Sequence, residues 1–362
     1  MKKLYEEENV RAIADAIRAK TGKTGKMKLA DMTSEVDTVS TFTMLKNYIE
    51  GNLTEIELLN VTKVCAGALI ASSLKKISLP NVTELSKYSF TMSTAEEIKL
   101  DNLETISAYS FFNAYGMSNG ESETPITVIA PKVKTVSECA FNDCYVDFSF
   151  ENVESIGYQA FAEDWAIKTV DAPKLTSLGE FAFAGAGSIT NVSLPSLSSL
   201  EKATFSGCES LANVHIPNVT SIGSQAFGTC YSLAALDLPA VTAISEQAFN
   251  GCGSLTRLIL RSEVVCALPD IKASASNYPF KNCYHFAGTT NSDYNPDGHK
   301  DGHIYVPSAL VATYQTATGW KTLANDRFRA LEDFTVDGTT TGALDDSKIA
   351  AADEEEYTPV IS

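Results

Sequence analysis

A 22-residue repeat in the middle of the chain constrains the fold more than any other feature. Three short segments lie 22 residues apart and share a β-branched or aliphatic residue, a variable residue, an aliphatic residue and a proline: Val192–Pro195, Val214–Pro217 and Leu236–Pro239. A phenylalanine, a cysteine and a leucine follow each segment at constant distances. Such periodicity is typical of solenoids, in which no single unit can bury its apolar residues alone.

The phenylalanine position can be followed well beyond these three units. It is occupied by Phe90, Phe111, Phe141, Phe161, Phe183, Phe205, Phe227, Phe249 and Phe280. Two of the spacings between successive phenylalanines are longer than the others. One contains an insertion at about residues 116–125, and the other contains an insertion before Phe280. Leu69 takes the phenylalanine position in a degenerate first unit, and Ile304–Pro307 is predicted to be a last strand without a following unit. We count about ten units.

The repeat predicts one continuous solenoid rather than several globular domains. In each segment the two outer residues of the strand point inward and the middle one points out. Parallel pairing would stack the units about 4.8 Å apart. We predict a solenoid over residues 46–307, an N-terminal helical segment or cap over 1–45, a C-terminal helical cap over 308–335 and an acidic flexible tail over 336–362, in which Asp353–Glu356 leaves little to pack.

One unit, Pro217–Leu233, resembles the repeat of BspA-like bacterial leucine-rich repeat proteins. The resemblance extends over roughly residues 52–307. It implies an α/β repeat fold, a right-handed leucine-rich repeat superhelix with a parallel β-sheet on its concave face. It also implies a protein that binds a protein or glycan ligand in surface adhesion or recognition, located at the cell surface or outside the cell.

A second resemblance covers a short N-terminal stretch. Ile13–Gly22, followed by Met27 and Met32, is similar to a segment of phage tail-associated and gut-bacterial proteins. It implies an alternative function, a structural or receptor-binding part of a phage or prophage tail, and a virion-associated location. The residues after Met1 include no apolar run of the kind found in signal peptides, which favours this alternative.

The charge of the chain excludes two classes of partner. With 28 basic and 45 acidic residues the formal net charge is −17, and such a surface repels nucleic acid and anionic lipid. No apolar run approaches the roughly 20 residues of a membrane-spanning helix. We therefore expect neither nucleic-acid binding nor membrane insertion.

The outward-facing strand positions are the candidate binding surface. This outward column consists of Ser78, Lys99, Ile129, Ser149, Asp171, Ser193, His215, Asp237 and Ile259, and we call the surface that it forms the sheet face. Asp171, Ser193, His215 and Asp237 are the predicted ligand contacts. Ser193, His215 and Asp237 also follow one another in the order of a nucleophile, a base and an acid. A flat sheet supplies no oxyanion hole or pocket, so we predict a non-enzymatic protein.

One loop matches the first half of an oxygen-ligand calcium site. The candidate ligands are Asp293, Asn295, Asp297 and Asp301, with Gly298 at the sixth position. The twelfth position is Ile304 instead of glutamate, and Pro296 departs from the usual pattern. A polar surface loop inserted before the last strand is the simpler interpretation of the stretch. His299 and His303 would suit a transition metal only if this stretch were helical. No other cofactor is expected.

Two further patterns have structural explanations. Five of the eight cysteines occupy one position, three residues after the phenylalanine: Cys144, Cys208, Cys230, Cys252 and Cys283. We interpret them as small buried thiols. Three sequences match the glycosylation acceptor pattern, beginning at Asn60, Asn81 and Asn218, and we interpret these asparagines as turn residues that follow the strand.

Overall fold

A computed structural model describes residues 55–59, 61–69, 74–114, 124–270, 276–287, 301–323 and 325–357. The predicted N-terminal helical segment, residues 1–45, lies outside the described residues. The chain forms two compact units, residues 1–188 and 189–362, and each is described by itself.

The first unit is built from very short parallel strands. Its described part contains β1 (Glu55–Glu57), β2 (Lys63–Val64), β3 (Lys76–Ser78), β4 (Glu84–Leu85), β5 (Glu97–Lys99), β6 (Thr105–Ile106), β7 (Ile126–Ile129), β8 (Thr135–Val136), β9 (Val146–Phe148), β10 (Ser155–Ile156), β11 (Thr169–Asp171) and β12 (Ser177–Leu178).

Alternate strands of the first unit belong to different sheets. Strands β1, β3, β5, β7 and β9 form one parallel sheet, and β6, β8, β10 and β12 form another. The register places equivalent residues of successive repeats opposite each other, as in the pairs Ile77–Ile98 and Ile98–Val128. These side chains point inward and are buried. Each turn of chain therefore contributes two strands that belong to different sheets, as expected of a β-solenoid.

A stack of phenylalanine rings fills the space behind the strands. In the first unit the rings of Phe90, Phe111, Phe141, Phe161 and Phe183 follow one another with centroid separations of 4.8, 4.7, 5.0 and 5.3 Å. All five side chains are inaccessible to solvent. Neighbouring rings lie nearly parallel, a favourable arrangement when it is offset, and each ring is covered only because its neighbours are present.

The second unit continues the same strand pattern and then has short helices and 3-10 turns between its last strands. It contains β13 (Asn191–Ser193), β14 (Ser199–Leu200), β15 (Asn213–His215), β16 (Ser221–Ile222), β17 (Ala235–Leu238), β18 (Ala243–Ile244), β19 (Arg257–Leu260), α1 (Tyr284–Ala287), β20 (His303–Val306), α2 (Val311–Thr316), β21 (Phe328–Ala330) and α3 (Asp346–Tyr357). Single 3-10 turns lie at Ser308–Leu310, Trp320–Thr322, Asn325–Arg327 and Leu331–Phe334.

Parallel pairing runs through the second unit as well. Strand β13 pairs with β15, and β17, β19, β20 and β21 form a four-stranded parallel sheet. The rings of Phe205, Phe227, Phe249 and Phe280 stack at 6.0, 5.7 and 5.4 Å. Both units are thus parallel β-solenoids of the leucine-rich repeat type, which confirms the fold class predicted from the repeat.

The turns that follow the second strand of each repeat are also bonded from repeat to repeat. The amide of Phe205 donates to the carbonyl of Ala226 at 2.9 Å, and the amide of Phe227 donates to that of Ala248 at 2.8 Å. Gly251 has a φ of 81°, a left-handed conformation that glycine adopts without strain. Because turns as well as strands pair, the backbone polar groups of one repeat depend on the next repeat for hydrogen bonds.

Residues 308–335, predicted to be a helical cap, combine short helices with one more strand. Tyr314 and Trp320 are buried, and the Trp320 ring lies 5.8 Å from the last ring of the stack, Phe280. Strand β21 pairs in parallel with β20. The prediction that Ile304–Pro307 is the last strand is therefore wrong, because Phe328–Ala330 adds a further strand through a connection without the 22-residue pattern.

We predict that Phe227→Ala lowers the free energy of unfolding by about 3–5 kcal/mol, because the ring is fully buried and its loss leaves a cavity between two neighbouring rings. Urea unfolding followed by far-ultraviolet circular dichroism measures this change. Ser232→Ala, an exposed change in the next turn, should alter stability by no more than about 0.5 kcal/mol. Equal effects of the two substitutions would contradict the role of the phenylalanine stack.

Candidate functional site

In the first unit the sheet face carries small and charged side chains. Lys99 Nζ lies 3.3 Å from the carboxylate of Glu97, and Ser78 Oγ lies 3.5 Å from that of Glu57. Exposed ion pairs contribute only about 0–1 kcal/mol, because water competes for both partners. These side chains can therefore exchange their present partners for a ligand at little cost.

A groove of about 250 Å³ opens beside the sheet face of the first unit. It lies at the carboxyl ends of β7 and β9. Ile129 and Pro131 give it an apolar wall, and Asp147 and Ser149 add a carboxylate and a hydroxyl group. A concave surface with an apolar wall and a few polar groups is typical of a small-ligand site. Ile129 and Ser149 belong to the outward column, but the repeat pattern does not reveal the groove.

The predicted ligand contacts are divided between the two units. Asp171 is an exposed residue of β11 in the first unit. Ser193 and His215 lie in the second unit and face each other in the paired strands β13 and β15. Within the described part of the chain the exposed ring of His215 makes no hydrogen bond. Its ring nitrogens are therefore available to a ligand.

Asp237 differs from the other predicted contacts, because its carboxylate already has a partner within the chain. Arg261 Nε donates to both Asp237 carboxylate oxygens at 2.9 Å, and Nη2 donates to Oδ2 at 2.7 Å. This two-pronged geometry is the strongest form of a carboxylate–arginine pair. The carboxylate is directed at Arg261, whereas a catalytic triad would require it to orient the imidazole of His215.

The chain itself covers the sheet face at its C-terminal end. Ile259, predicted to point outward into solvent, and Tyr305 in the next strand are only 2% and 0% exposed. They pack against Leu331 and Ile349. Residues 336–357, predicted from their composition to be a flexible tail, fold back over β19, β20 and β21. The segment folds, contrary to the prediction, because a few apolar residues among many acidic ones are enough to form one small hydrophobic cluster.

The predicted calcium loop lies mostly outside the described residues. Asp293, Asn295 and Asp297 belong to the part that the structure does not describe, so their prediction as calcium ligands is unchanged. Asp301 is described, and its carboxylate lies 2.5 Å from Nδ1 of His285. His303 lies in the strand β20 and is buried, so the helical arrangement needed for a transition-metal site with His299 is not formed. Among the described residues, no three His, Cys, Asp or Glu side chains are grouped so as to hold a metal.

The cysteine position of the repeat is buried, and its thiols donate hydrogen bonds to backbone carbonyls. All eight cysteines are free thiols. Cys230 and Cys252 donate from Sγ to the carbonyls of Phe205 and Phe227, at 3.2 and 3.0 Å. Burial raises the pKa of Cys252 to about 12, so the thiol keeps the proton that this hydrogen bond requires. The interpretation of these cysteines as core residues agrees with these contacts.

The predicted turn asparagines also donate hydrogen bonds to backbone carbonyls. Nδ2 of Asn81 donates to the carbonyl of Leu59 at 2.6 Å, and Nδ2 of Asn218 donates to that of Pro195 at 2.7 Å. Each asparagine therefore ties its own turn to the turn one repeat earlier. This agrees with the structural interpretation of both residues, and Asn60 lies outside the described residues.

Asp164 occupies the cysteine position in its repeat and is completely buried. Its carboxyl group accepts hydrogen bonds from the amides of Ala166, at 2.9 Å, and Val146, at 3.3 Å. Burial raises its pKa well above the ordinary value of 3.8, and these two hydrogen bonds only partly oppose the shift. The carboxyl group is therefore a buried titratable group in the core of the first unit. The repeat pattern does not indicate that its pKa is raised.

We predict that Asp164 makes stability depend on pH. A carboxyl group with a raised pKa in the folded state holds its proton more tightly there, so its contribution to stability falls as the pH rises above 3.8. The melting temperature of Asp164→Asn relative to wild type should therefore increase between pH 4 and pH 7. Glu163→Gln, an exposed change of equal charge in the same turn, should show no such trend. A constant difference for Asp164→Asn would contradict the prediction.

The comparisons with known proteins agree with this geometry. The model of the BspA-type leucine-rich repeat region matches in six copies, over residues 46–147, 122–217 and 176–287. A leucine-rich repeat protein from Bacteroides ovatus has 21% sequence identity and a TM-score of 0.51, and the match covers 76% of this chain and 66% of that chain. The chain thus spans just under two thirds of that relative, and at this identity the likeness shows the fold alone.

Two more distant solved structures have TM-scores below 0.5. The pneumococcal vaccine antigen PcpA is 14% identical, with a TM-score of 0.35, and the match covers 77% of this chain and 78% of that one. A leucine-rich cell surface protein of Faecalibacterium prausnitzii is 16% identical, with a TM-score of 0.27 and coverages of 64% and 77%. Among curated proteins none matches the chain. Within the described residues, no helix has both the length and the apolar character needed to span a bilayer.

Proposed function

Since the chain belongs to the BspA-type leucine-rich repeat family, we propose that it is a non-enzymatic binding protein whose sheet face recognises a protein or glycan in adhesion or surface recognition. The observation that carries this proposal is the contrast between the two sides of each strand. Inward positions of the strands are apolar and mostly buried, whereas Asp171 in the first unit and Ser193 and His215 in the second are accessible polar residues.

A binding role is favoured over a catalytic one by the state of Asp237. Its carboxylate is held by Arg261, so it does not orient the His215 ring. What remains in the second unit is the hydroxyl group of Ser193 beside the imidazole of His215, on paired strands about 4.8 Å apart. Such a pair suits a ligand that extends over neighbouring repeats. The open groove lined by Ile129 and Ser149 in the first unit is a separate candidate place for one group of a ligand.

We predict that the combined variant Asp171→Ala, Ser193→Ala and His215→Ala binds its ligand at least about tenfold more weakly than wild type, a loss of about 1.4 kcal/mol. Binding is measured on immobilised mucin glycans, bacterial cell-wall glycans and extracellular matrix proteins. The melting temperature of the combined variant should remain close to that of wild type, because none of the three side chains is buried.

The matched control replaces three exposed residues outside the sheet face, Glu180→Ala, Ser232→Ala and Ser245→Ala. This control should bind as wild type does. The proposal would be wrong if the sheet-face variant kept full binding, or if wild type bound none of the three ligand classes.

Cell fractionation separates adhesion from the alternative of a phage tail-associated protein. The N-terminal stretch on which that alternative rests lies outside the described residues, so it stays a prediction. An antibody applied to cell-surface, cytosolic and induced-phage fractions should detect the protein at the cell surface if it is an adhesin. Enrichment in the phage particle would instead favour the tail-associated function, and a purely cytosolic signal would contradict both.

A further inference from the structure

Arginine is concentrated at the C-terminal end of the sheet face. Four of the six arginines lie between residues 257 and 329, in a chain of net charge −17. Arg257 begins β19, Arg261 follows it directly, and Arg329 lies in β21. The paired strands β19, β20 and β21 bring these three side chains to one surface. Because Asp237 pairs with Arg261, Arg257 and Arg329 are the two arginines of this surface whose ion pairs come from residues 336–357.

Residues 336–357 contact this surface with acidic and main-chain groups. Arg257 Nη1 lies 2.6 Å from Asp346 Oδ1, and Arg329 Nη1 lies 2.8 Å from Asp353 Oδ1. Arg261 Nη1 donates to the carbonyls of residues 340 and 342 at 2.6 and 2.9 Å. Each arginine therefore meets an acceptor supplied by the segment.

Two apolar residues of the segment, Ile349 and Leu344, pack against the surface, and Ile349 lies between the two charge pairs. Ile349 is 4% exposed and packs against Ile259, Tyr305 and Leu331. Asp346, Ile349 and Asp353 stand at positions i, i+3 and i+7 of α3, which places all three on one face of the helix. A buried apolar centre with a polar rim is the usual anatomy of an interface between separate partners.

The contacts have the character of an exchangeable interface. The side chain of Asp346 is 83% exposed, and an ion pair open to water contributes little to stability. The Arg329–Asp353 pair is more sheltered, with side chains 12% and 34% exposed. The α3 helix contacts the rest of the chain through this face and through Lys348, whose Nζ donates to the carbonyl of Thr335 at 2.6 Å. A covalently linked segment nevertheless has a high effective concentration, which keeps the surface occupied.

We propose that the C-terminal end of the sheet face is a binding surface for an acidic helical peptide with the pattern Asp-x-x-Ile-x-x-x-Asp, and that residues 336–357 occupy it in competition with such a partner. This goes beyond the proposed function, because it concerns a different part of the sheet face and a different class of ligand. The segment acts as a built-in competitor that only an acidic partner with an apolar anchor can replace.

The test uses the full chain and a labelled synthetic peptide of residues 340–357. In the variant Asp346→Asn/Asp353→Asn the attached segment loses both charge pairs while the arginines remain. We expect this variant to bind the wild-type peptide at least tenfold more tightly than the wild-type chain does, measured by fluorescence anisotropy. A peptide with the same two asparagines should bind at least tenfold more weakly than the wild-type peptide.

Two controls make the result specific. Glu263→Gln/Asp270→Asn makes the same change in charge at exposed residues outside the segment and should leave peptide binding as in wild type. Adding Arg257→Ala and Arg329→Ala to the Asp346→Asn/Asp353→Asn chain should abolish binding.

Hydrogen exchange of residues 346–353 reports whether the attached segment has been released, and we expect faster exchange in the Asp346→Asn/Asp353→Asn chain. Equal peptide affinity of wild type and variant would overturn the proposal. So would unchanged exchange in the variant, or release of the segment without peptide binding. None of these results would bear on ligand binding at Asp171, Ser193 and His215.

Discussion

Contact between successive repeats is the interaction on which the rest of the structure depends. A single repeat of about 22 residues has one phenylalanine, two short strands and a turn, and it cannot enclose any of them. The Phe161 ring is covered because Phe141 and Phe183 lie 5.0 and 5.3 Å away on either side. Backbone amides are satisfied in the same direction, from one repeat to the next. Stability is therefore approximately a sum over neighbouring pairs.

This dependence creates a problem at the end of the repeats, where the last ring and strand have no further repeat to cover them. In the second unit the problem is met by side chains that do not belong to the repeat. Trp320 packs near Phe280 and donates from Nε1 to the carbonyl of Cys266 at 2.6 Å, while the hydroxyl of Tyr314 accepts from the amide of the same residue at 2.8 Å. Large aromatic residues suit this task because each combines a wide apolar area with one polar group that can reach an exposed backbone group.

Much of the fold could be predicted from the sequence because the same pattern recurs in every repeat. The strands, their parallel register, the inward side chains and the buried cysteine position all recur at one spacing, so the assignment in one repeat supports the assignment in the others. The predictions failed where the chain leaves that spacing. Strand β21 follows a connection of a different length, and the segment with Ile349 has no repeat partner. Nothing in the period indicates that these residues return to Ile259 and Tyr305.

The candidate site shows the same division. The exposure of Asp171, Ser193 and His215 follows from strand alternation, so it could be predicted from position alone. The pairing of Asp237 with Arg261 could not, because it depends on a residue just beyond β19, where an insertion interrupts the repeat. Asp164 is a similar case: its position predicts burial, but its carboxyl group accepts from one amide two residues away, that of Ala166, and from one 18 residues away in β9, that of Val146.

The separation of inward and outward positions also explains how one scaffold can carry different surfaces. Inward side chains are restricted by the ring stack and by the strand spacing, whereas outward side chains contact few neighbours and can change without disturbing the core. The outward positions carry Lys99 and Glu97 in the first unit, and Ser193 and His215 in the second. At the last strands of the second unit they are apolar and arginine-rich, and there the chain covers its own surface. Strands of this kind can hold separate sites for different ligands, since each repeat sets its outward chemistry independently of the others.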